Sequence, residues 1–233
     1  MLYLCSSKFI ASDEASLVRR WLDRLRDRGG VLARAGVLVR PHPQNAEQWQ
    51  DVDLSTREQF EVWPRAGADP VHTSSKNDFY DSLHHCRAVV GINTSALIES
   101  AIVGRPVLTV LAPEFSATQE GTLHFGHLAH GDARLLVVAN TLDEHLEQLA
   151  AELSEGDAEG DFGPNEAFLR RFVRPHGLER PAAPILADAI ERAARGLAAE
   201  PRAAAHGRQG DVMENQARSV RTAWNGGVRA KDS

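Results

Sequence analysis

Short, mostly apolar runs alternate along this chain with longer stretches in which apolar residues recur every three or four positions. The runs fall at residues 1–5, 37–39, 60–63, 88–92, 107–111 and 135–138. Such runs predict strands covered on both faces, the usual state of a strand inside a parallel sheet. Between the first two, Leu17, Val18, Trp21, Leu22 and Leu25 repeat at helical spacing. That helix is expected to open at Ser12-Asp13-Glu14, whose acids suit the positive end of its dipole, and to stop at Gly29-Gly30. Further helices are expected over 78–86 and 94–103, within 112–130, and over 166–173 and 183–199. Another opens at Thr141-Leu142-Asp143-Glu144, which has capping-box spacing.

Strands alternating with helices predict an α/β fold, a single Rossmann-like doubly wound parallel sheet of about six strands with right-handed crossovers. Residues 1–155 would form this domain. Residues 156–200 would be carboxyl-terminal helices that pack on it or cross from it, entered through an acidic, glycine-containing loop over 156–163. Beyond Glu200 the chain turns to Ala, Arg, Gly, Gln and Asn without apolar periodicity, so 201–233 reads as a disordered tail.

Apolar residues make up 42% of the 233 positions and charged residues 25%. That is ordinary globular composition, with enough chain for one self-sufficient core. The net charge of −6 argues against a general nucleic-acid binder. It leaves anionic small ligands open, because those need only local positive potential. Cys5 and Cys86 are spaced neither for zinc nor for a disulfide framework, and read as small core residues in a reducing cytosol. No apolar run approaches the roughly 20 residues of a membrane span. No charged segment precedes the first apolar run, so no signal peptide is read there. The expectation is a cytoplasmic protein.

Two strand ends carry the polar chemistry. Pro41 and Pro43 forbid continuation of helix or ladder, which holds His42 in an extended corner beside Arg40. The imidazole could contact a phosphate with Arg40 adding positive charge, or it could pack on the prolines. After the fourth strand, Asn93-Thr94-Ser95 opens a helix. Amides and hydroxyls there could hold an anion or simply cap the helix. Glu99 lies four residues after Ser95 on the same face, and could accept both ribose hydroxyls or face solvent. Ser6 and Ser7 end the first strand with two hydroxyls. The 119–125 loop, with Glu120, Thr122 and His124, follows the fifth strand's carboxyl end as a lid or donor-contact loop. In an open α/β sheet, ligands bind at that carboxyl edge.

Absent motifs narrow the choice. There is no G-x-G-x-x-G after the first strand, no Walker A lysine loop and no G-x-S-x-G elbow. Dehydrogenase, ATPase and α/β-hydrolase readings lose their usual support. His124, His127 and His130 tempt a metal reading, but three-residue steps spread their rings over about 120° of a helix. His84-His85 reads as a surface pair. No metal or other cofactor is expected.

Tyr3-Leu4-Cys5-Ser6-Ser7, Arg40-Pro41-His42-Pro43 and Asn93-Thr94-Ser95-Ala96-Leu97-Ile98-Glu99-Ser100-Ala101 with Gly104-Arg105-Pro106-Val107 stand in that order. Together they resemble the donor-binding, carboxyl-terminal half of GT-B glycosyltransferases. The likeness is to bacterial capsule and surface-polysaccharide enzymes, namely the Kdo and sialic-acid transferases with a His-Pro motif and the CDP-glycerol glycerophosphotransferases. The last segment also looks like that of UDP-GlcNAc 2-epimerases. The likeness covers roughly residues 1–155.

The resemblance implies one half of a GT-B fold and a CMP-, CDP- or UDP-linked sugar as substrate, transferred to a glycan or lipid-linked acceptor. Arg40, His42, Thr94 and Ser95 would bind donor phosphate, Glu99 the ribose, and Ser6, Ser7 and Thr122 would line the cleft. No metal would be needed. Asp51-Val52-Asp53 matches the short motif of metal-dependent glycosyltransferases, but sits away from any strand's carboxyl end. The resemblance also implies that the acceptor-binding half is missing from this chain. A partner chain supplying it, or a second copy of this one, is then expected. Glu120 and His124 are candidate bases by position alone. The alternatives are glycerophosphotransfer, sugar 2-epimerisation, or a non-catalytic nucleotide-sugar-binding module working with a partner. The expected place is the cytoplasm, at most peripheral to the membrane's inner face.

Overall fold

The structure is a computed structural model that describes residues 1–52, 59–69, 71–154 and 165–196. The chain divides into two units, Met1–Arg180 and Pro181–Ser233. The expected acidic loop and carboxyl-terminal tail lie outside the described residues, as does Asp53.

In the first unit, β1 (Leu2–Leu4), β2 (Val37–Arg40), β3 (Phe60–Val62), β4 (Val89–Gly91), β5 (Val107–Val110) and β6 (Leu136–Ala139) form one sheet. Its order is β3-β2-β1-β4-β5-β6 and every pairing is parallel. This is the doubly wound α/β fold expected from the alternating pattern. β1 is central, with Leu4 opposite Arg40 on one side and Gly91 on the other.

The pleat sorts the strand side chains into two layers. Tyr3, Cys5, Val39, Val62, Val90 and Leu108 join the core of α1 (Glu14–Arg28), α2 (Gly30–Arg34) and α7 (Leu142–Ser154). Leu2, Leu4, Val89, Val107 and Leu136 join the core of α3 (Thr73–His85), α4 (Ala96–Ile102), α6 (Leu123–Ala129) and α8 (Glu166–Phe168). Each fully buried Leu or Val contributes roughly 1.5–3 kcal/mol. A short α5 (Ser116–Gln119) lies between β5 and α6. The seam between β1, β4 and α4 is tight. A Cβ on Gly91 would meet the Leu4 carbonyl oxygen at 2.9 Å and Leu97 Cδ2 at 3.1 Å, so this position takes glycine.

Four departures from the sequence pattern have simple causes. α3 begins at Thr73 rather than near 78, because its first turn is polar and largely exposed and carries no apolar signal. Gly29 stops α1 as expected, but Gly30 re-enters helix at once, and the Arg26 guanidinium gathers the carbonyls of Leu32, Ala33 and Ala35. Pro43–Trp49 coils as a 3-10 segment anchored by the fully buried Trp49. The helix expected over 166–173 is α8 followed by a π turn, Leu169–Val173. Half of the Thr141 box forms, with Glu144 N donating to Thr141 Oγ1 at 3.2 Å, while Glu144 Oε2 accepts from Asn140 N at 2.8 Å, one residue before the expected donor. In the second unit, α9 (Ala182–Ala194) occupies most of the expected 183–199 helix and ends at Arg195-Gly196.

Candidate functional site

The chain leaves β1 for α1 on one face of the sheet, and leaves β4 for α4 on the other. The carboxyl ends of β1 and β4 therefore flank the topological switch point, where ligands bind in open α/β sheets. Ser6 is the hub there. It is fully buried, its carbonyl accepts from Asn45 Nδ2 at 3.2 Å, and its hydroxyl accepts from Asn93 N at 3.3 Å. The same hydroxyl donates to Glu14 Oε1 at 3.3 Å, while Ser6 N donates to Glu14 Oε2 at 2.6 Å.

Glu14 completes this hub from the first turn of α1. It is fully buried, and Tyr3 Oη donates to it at 3.0 Å. Burial pushes its pKa up to about 7, against the pull of the three donors. A carboxyl group thus fills the space beneath the β1–α1 loop. In the sequence, Glu14 reads only as a dipole-friendly helix start. Its burial had a signal, since Glu14, Val18, Trp21 and Leu25 are spaced to share one face of α1.

Asn93 and Gln119 extend the polar network under β4 and β5. Asn93 Nδ2 donates to Thr122 Oγ1 at 2.8 Å, and Thr122 Oγ1 accepts from Phe125 N at 3.3 Å, which caps α6. Gln119 is fully buried and holds the Val110 carbonyl and the Ala112 amide at 3.0 and 2.9 Å. The buried amide oxygens of Asn45 and Asn93 have no hydrogen-bond partner among the described residues. Asn93, Gln119 and Thr122 stand in segments the sequence singles out, but their shared burial leaves no periodic signature, and neither does that of Asn45.

The residues expected to bind phosphate are divided by this hub. His42 stands at the end of β2 and Thr94 and Ser95 at the end of β4, two strand spacings apart with β1 between, about 10 Å at the backbone. His42 Nδ1 accepts from Gln44 N at 3.1 Å, capping the 3-10 segment. That bond leaves the proton on Nε2. Partial burial lowers the pKa of this ring, with Asp69 opposing, so the imidazole is neutral at pH 7. Thr94 is half-buried and Ser95 exposed, and neither side chain caps α4. Ser7 is half-buried at the start of the β1–α1 loop, with its carbonyl turning the chain through Ile10 N and Ala11 N.

Arg40 is built into the scaffold. Its guanidinium donates to Asp78 O and to Ser82 Oγ, at 3.2 and 2.9 Å, and lies over the Phe79 ring at 5.6 Å. Glu99 is half-buried and burial raises its pKa. Its charge is felt at Tyr80 of α3, whose own pKa is raised by burial first and by Glu99 second. Of the two candidate bases, Glu120 is exposed, and His124 has a buried Nε2 without a partner among the described residues.

The histidine series does not converge. The His127 ring packs 5.6 Å from Phe172, and His130 Nδ1 lies 3.2 Å from Gly126 O. Among the described residues no group of three His, Cys, Asp or Glu side chains is placed to hold a metal ion. Cys5 and Cys86 are both buried and unpaired with each other, and burial pushes Cys86 up to about 11. No helix among the described residues is long and apolar enough to cross a membrane. A shallow cavity of about 630 Å³ opens at the opposite edge of the sheet, lined by Leu2, Val37, Phe60 and Cys86. That edge holds the strands' amino ends, away from the switch point. No family model matches this chain, and neither a curated protein nor a solved structure matches it.

Proposed function

We propose that the Met1–Arg180 unit binds a nucleotide-activated sugar along the carboxyl edge of β2, β1 and β4, as the donor-binding half of a GT-B glycosyltransferase. The observation that carries this reading is the strand order with its switch point between β1 and β4, flanked by His42, Ser7, Thr94, Ser95 and Glu99. One phosphate sits against the hydroxyls of Thr94 and Ser95. His42 reaches the ligand from the other side of β1 through its Nε2–H. Glu99 accepts from the ribose, and Ser7 and Thr122 border the cleft. Arg40 acts at a distance, through its field, because its guanidinium is held by α3.

The chemistry is displacement of the nucleoside phosphate by an acceptor hydroxyl of a glycan or lipid-linked chain. Donors aimed at the phosphates stabilise the charge that develops on the leaving group. The setting is surface-polysaccharide assembly on the cytoplasmic side. Glycerophosphotransfer from a CDP-linked donor or 2-epimerisation of a UDP-sugar would use the same phosphate and ribose contacts.

A second reading has a specific observation behind it. The buried acid at the switch point, Glu14, is sealed from solvent, and Glu120 stands exposed. Glu14 therefore cannot reach an acceptor hydroxyl as a general base. The chain would then be a nucleotide-sugar-binding module that turns over only with a partner chain.

Calorimetric titration with CMP, CDP and UDP tests both readings. Binding that weakens in His42→Ala and Glu99→Ala supports the site. Binding without turnover on simple acceptors supports the module. Absence of binding to all three nucleotides removes both.

A further inference from the structure

Glu14 has no place in the proposed donor contacts, yet it is joined to them. Its Oε1 takes a hydrogen bond from Ser6 Oγ at 3.3 Å, and that oxygen takes the amide of Asn93 at 3.3 Å. Asn93 is the first residue of the Asn93-Thr94-Ser95 turn on which the phosphate is placed. The carboxyl group has Tyr3 Oη, Ser6 N and Ser6 Oγ as donors, and none of these is a cation. The other titratable neighbours supply no counter-charge. Tyr3 of β1 and Cys5 just after it are held neutral by burial. Glu47 is paired with Lys8, and Glu114 with Arg20, at the surface. Asp13, next to Glu14, is exposed.

We propose that Glu14 couples anion binding at the Asn93–Ser95 turn to uptake of a proton, so that the donor's phosphate binds with the Glu14 carboxyl protonated. This rests on the nucleotide reading of the site. A negative charge on the turn lies beyond two consecutive 3.3 Å hydrogen bonds from Glu14, through Ser6 Oγ and the Asn93 amide, hence roughly 10 Å away. At an effective dielectric of about 20, one such charge raises the carboxyl pKa by about one unit. Glu14 already titrates near 7, so the coupling falls in the neutral range. The sign is fixed: affinity for the anion falls as pH rises, about tenfold for each unit of coupled shift. Ser6 carries the effect structurally as well, because the hydroxyl that serves Asn93 also serves Glu14.

The test uses UDP-glucose, CDP-glycerol and CMP-sialic acid, phosphodiesters that do not themselves titrate between about pH 6 and 8. Binding is measured by calorimetry at neutral pH in two buffers of different ionisation enthalpy. The wild type is expected to take up a fraction of a proton, and Glu14→Gln to bind without uptake. His42 and His124 also stand at this edge, and uptake that persists in Glu14→Gln assigns the proton to them and overturns the proposal. Carbon-13 NMR of the Glu14 carboxyl in the wild type checks the same point without a variant. Its pKa should move up by about one unit on saturation with donor, and a pKa that stays still overturns the coupling. Binding without uptake removes the coupling alone. Absence of binding to every donor removes the coupling and the nucleotide reading together.

Discussion

The backbone amide of Asn93 donates to the Ser6 hydroxyl at 3.3 Å, tying the carboxyl ends of β4 and β1 across the switch point. The Ser6 hydroxyl passes that bond on to Glu14, so one side chain satisfies a buried donor and a buried acceptor. Ser6→Ala leaves the Asn93 amide without a partner and removes one of Glu14's donors. The expected loss is about 1–3 kcal/mol. Urea unfolding with an unchanged m-value would register it.

Two buried titratable groups act in opposite senses across one pH range. Glu14 has its folded pKa raised to about 7, so its contribution is fully present below the unfolded value and is lost as pH rises through 7. His145, fully buried on α7 with neither ring nitrogen partnered among the described residues, has its pKa lowered by burial to about 4. The unfolded chain protonates this residue first, so stability is lost as pH falls from the unfolded value towards 4. Each effect is worth about 3 kcal/mol at its limit, and between about pH 4.5 and 6.5 the two slopes oppose. Denaturation across this range should give Glu14→Gln a stability that climbs with pH. His145→Leu should give one that declines. Single variants that keep the wild-type profile would contradict the burial of these charges.

Arg40 separates a scaffold role from a ligand role. Its Nη1 alone donates to both a backbone carbonyl and a hydroxyl of α3, while the planar guanidinium lies over Phe79. Lysine cannot reproduce that planar geometry. Arg40→Lys is expected to lower stability by about 1–2 kcal/mol while nucleotide affinity changes less than in His42→Ala. Thermal melting and titration on the same samples compare the two. A large loss of affinity with unchanged melting would make Arg40 a direct phosphate ligand instead.

The sheet was legible because its strands are short apolar runs punctuated by Gly and Pro, and those signals are local. The polar edge was legible only in part. His42, Thr94, Ser95 and Glu99 stand out because they follow strand ends, and strand ends can be read from the pattern. Asn45 does not, because what defines it is burial against Ser6 and Ala11 in a distant segment, and Gln119 does not, because it serves strand-end backbone groups that leave no periodic signature. Arg40 shows the reverse case. Its place beside His42 suggested a phosphate contact, whereas its partners lie on α3, whose polar first turn carries no apolar signal.

The central claim is that the carboxyl edge around His42, Thr94, Ser95 and Glu99 is a nucleotide site, and titration calorimetry of CMP, CDP and UDP tests it most directly. The account predicts saturable binding of at least one, weakened about tenfold or more in both His42→Ala and Glu99→Ala, each corresponding to about 1.4 kcal/mol, with their far-ultraviolet spectra unchanged. Failure of all three nucleotides to bind, or affinities the two substitutions leave intact, would contradict it.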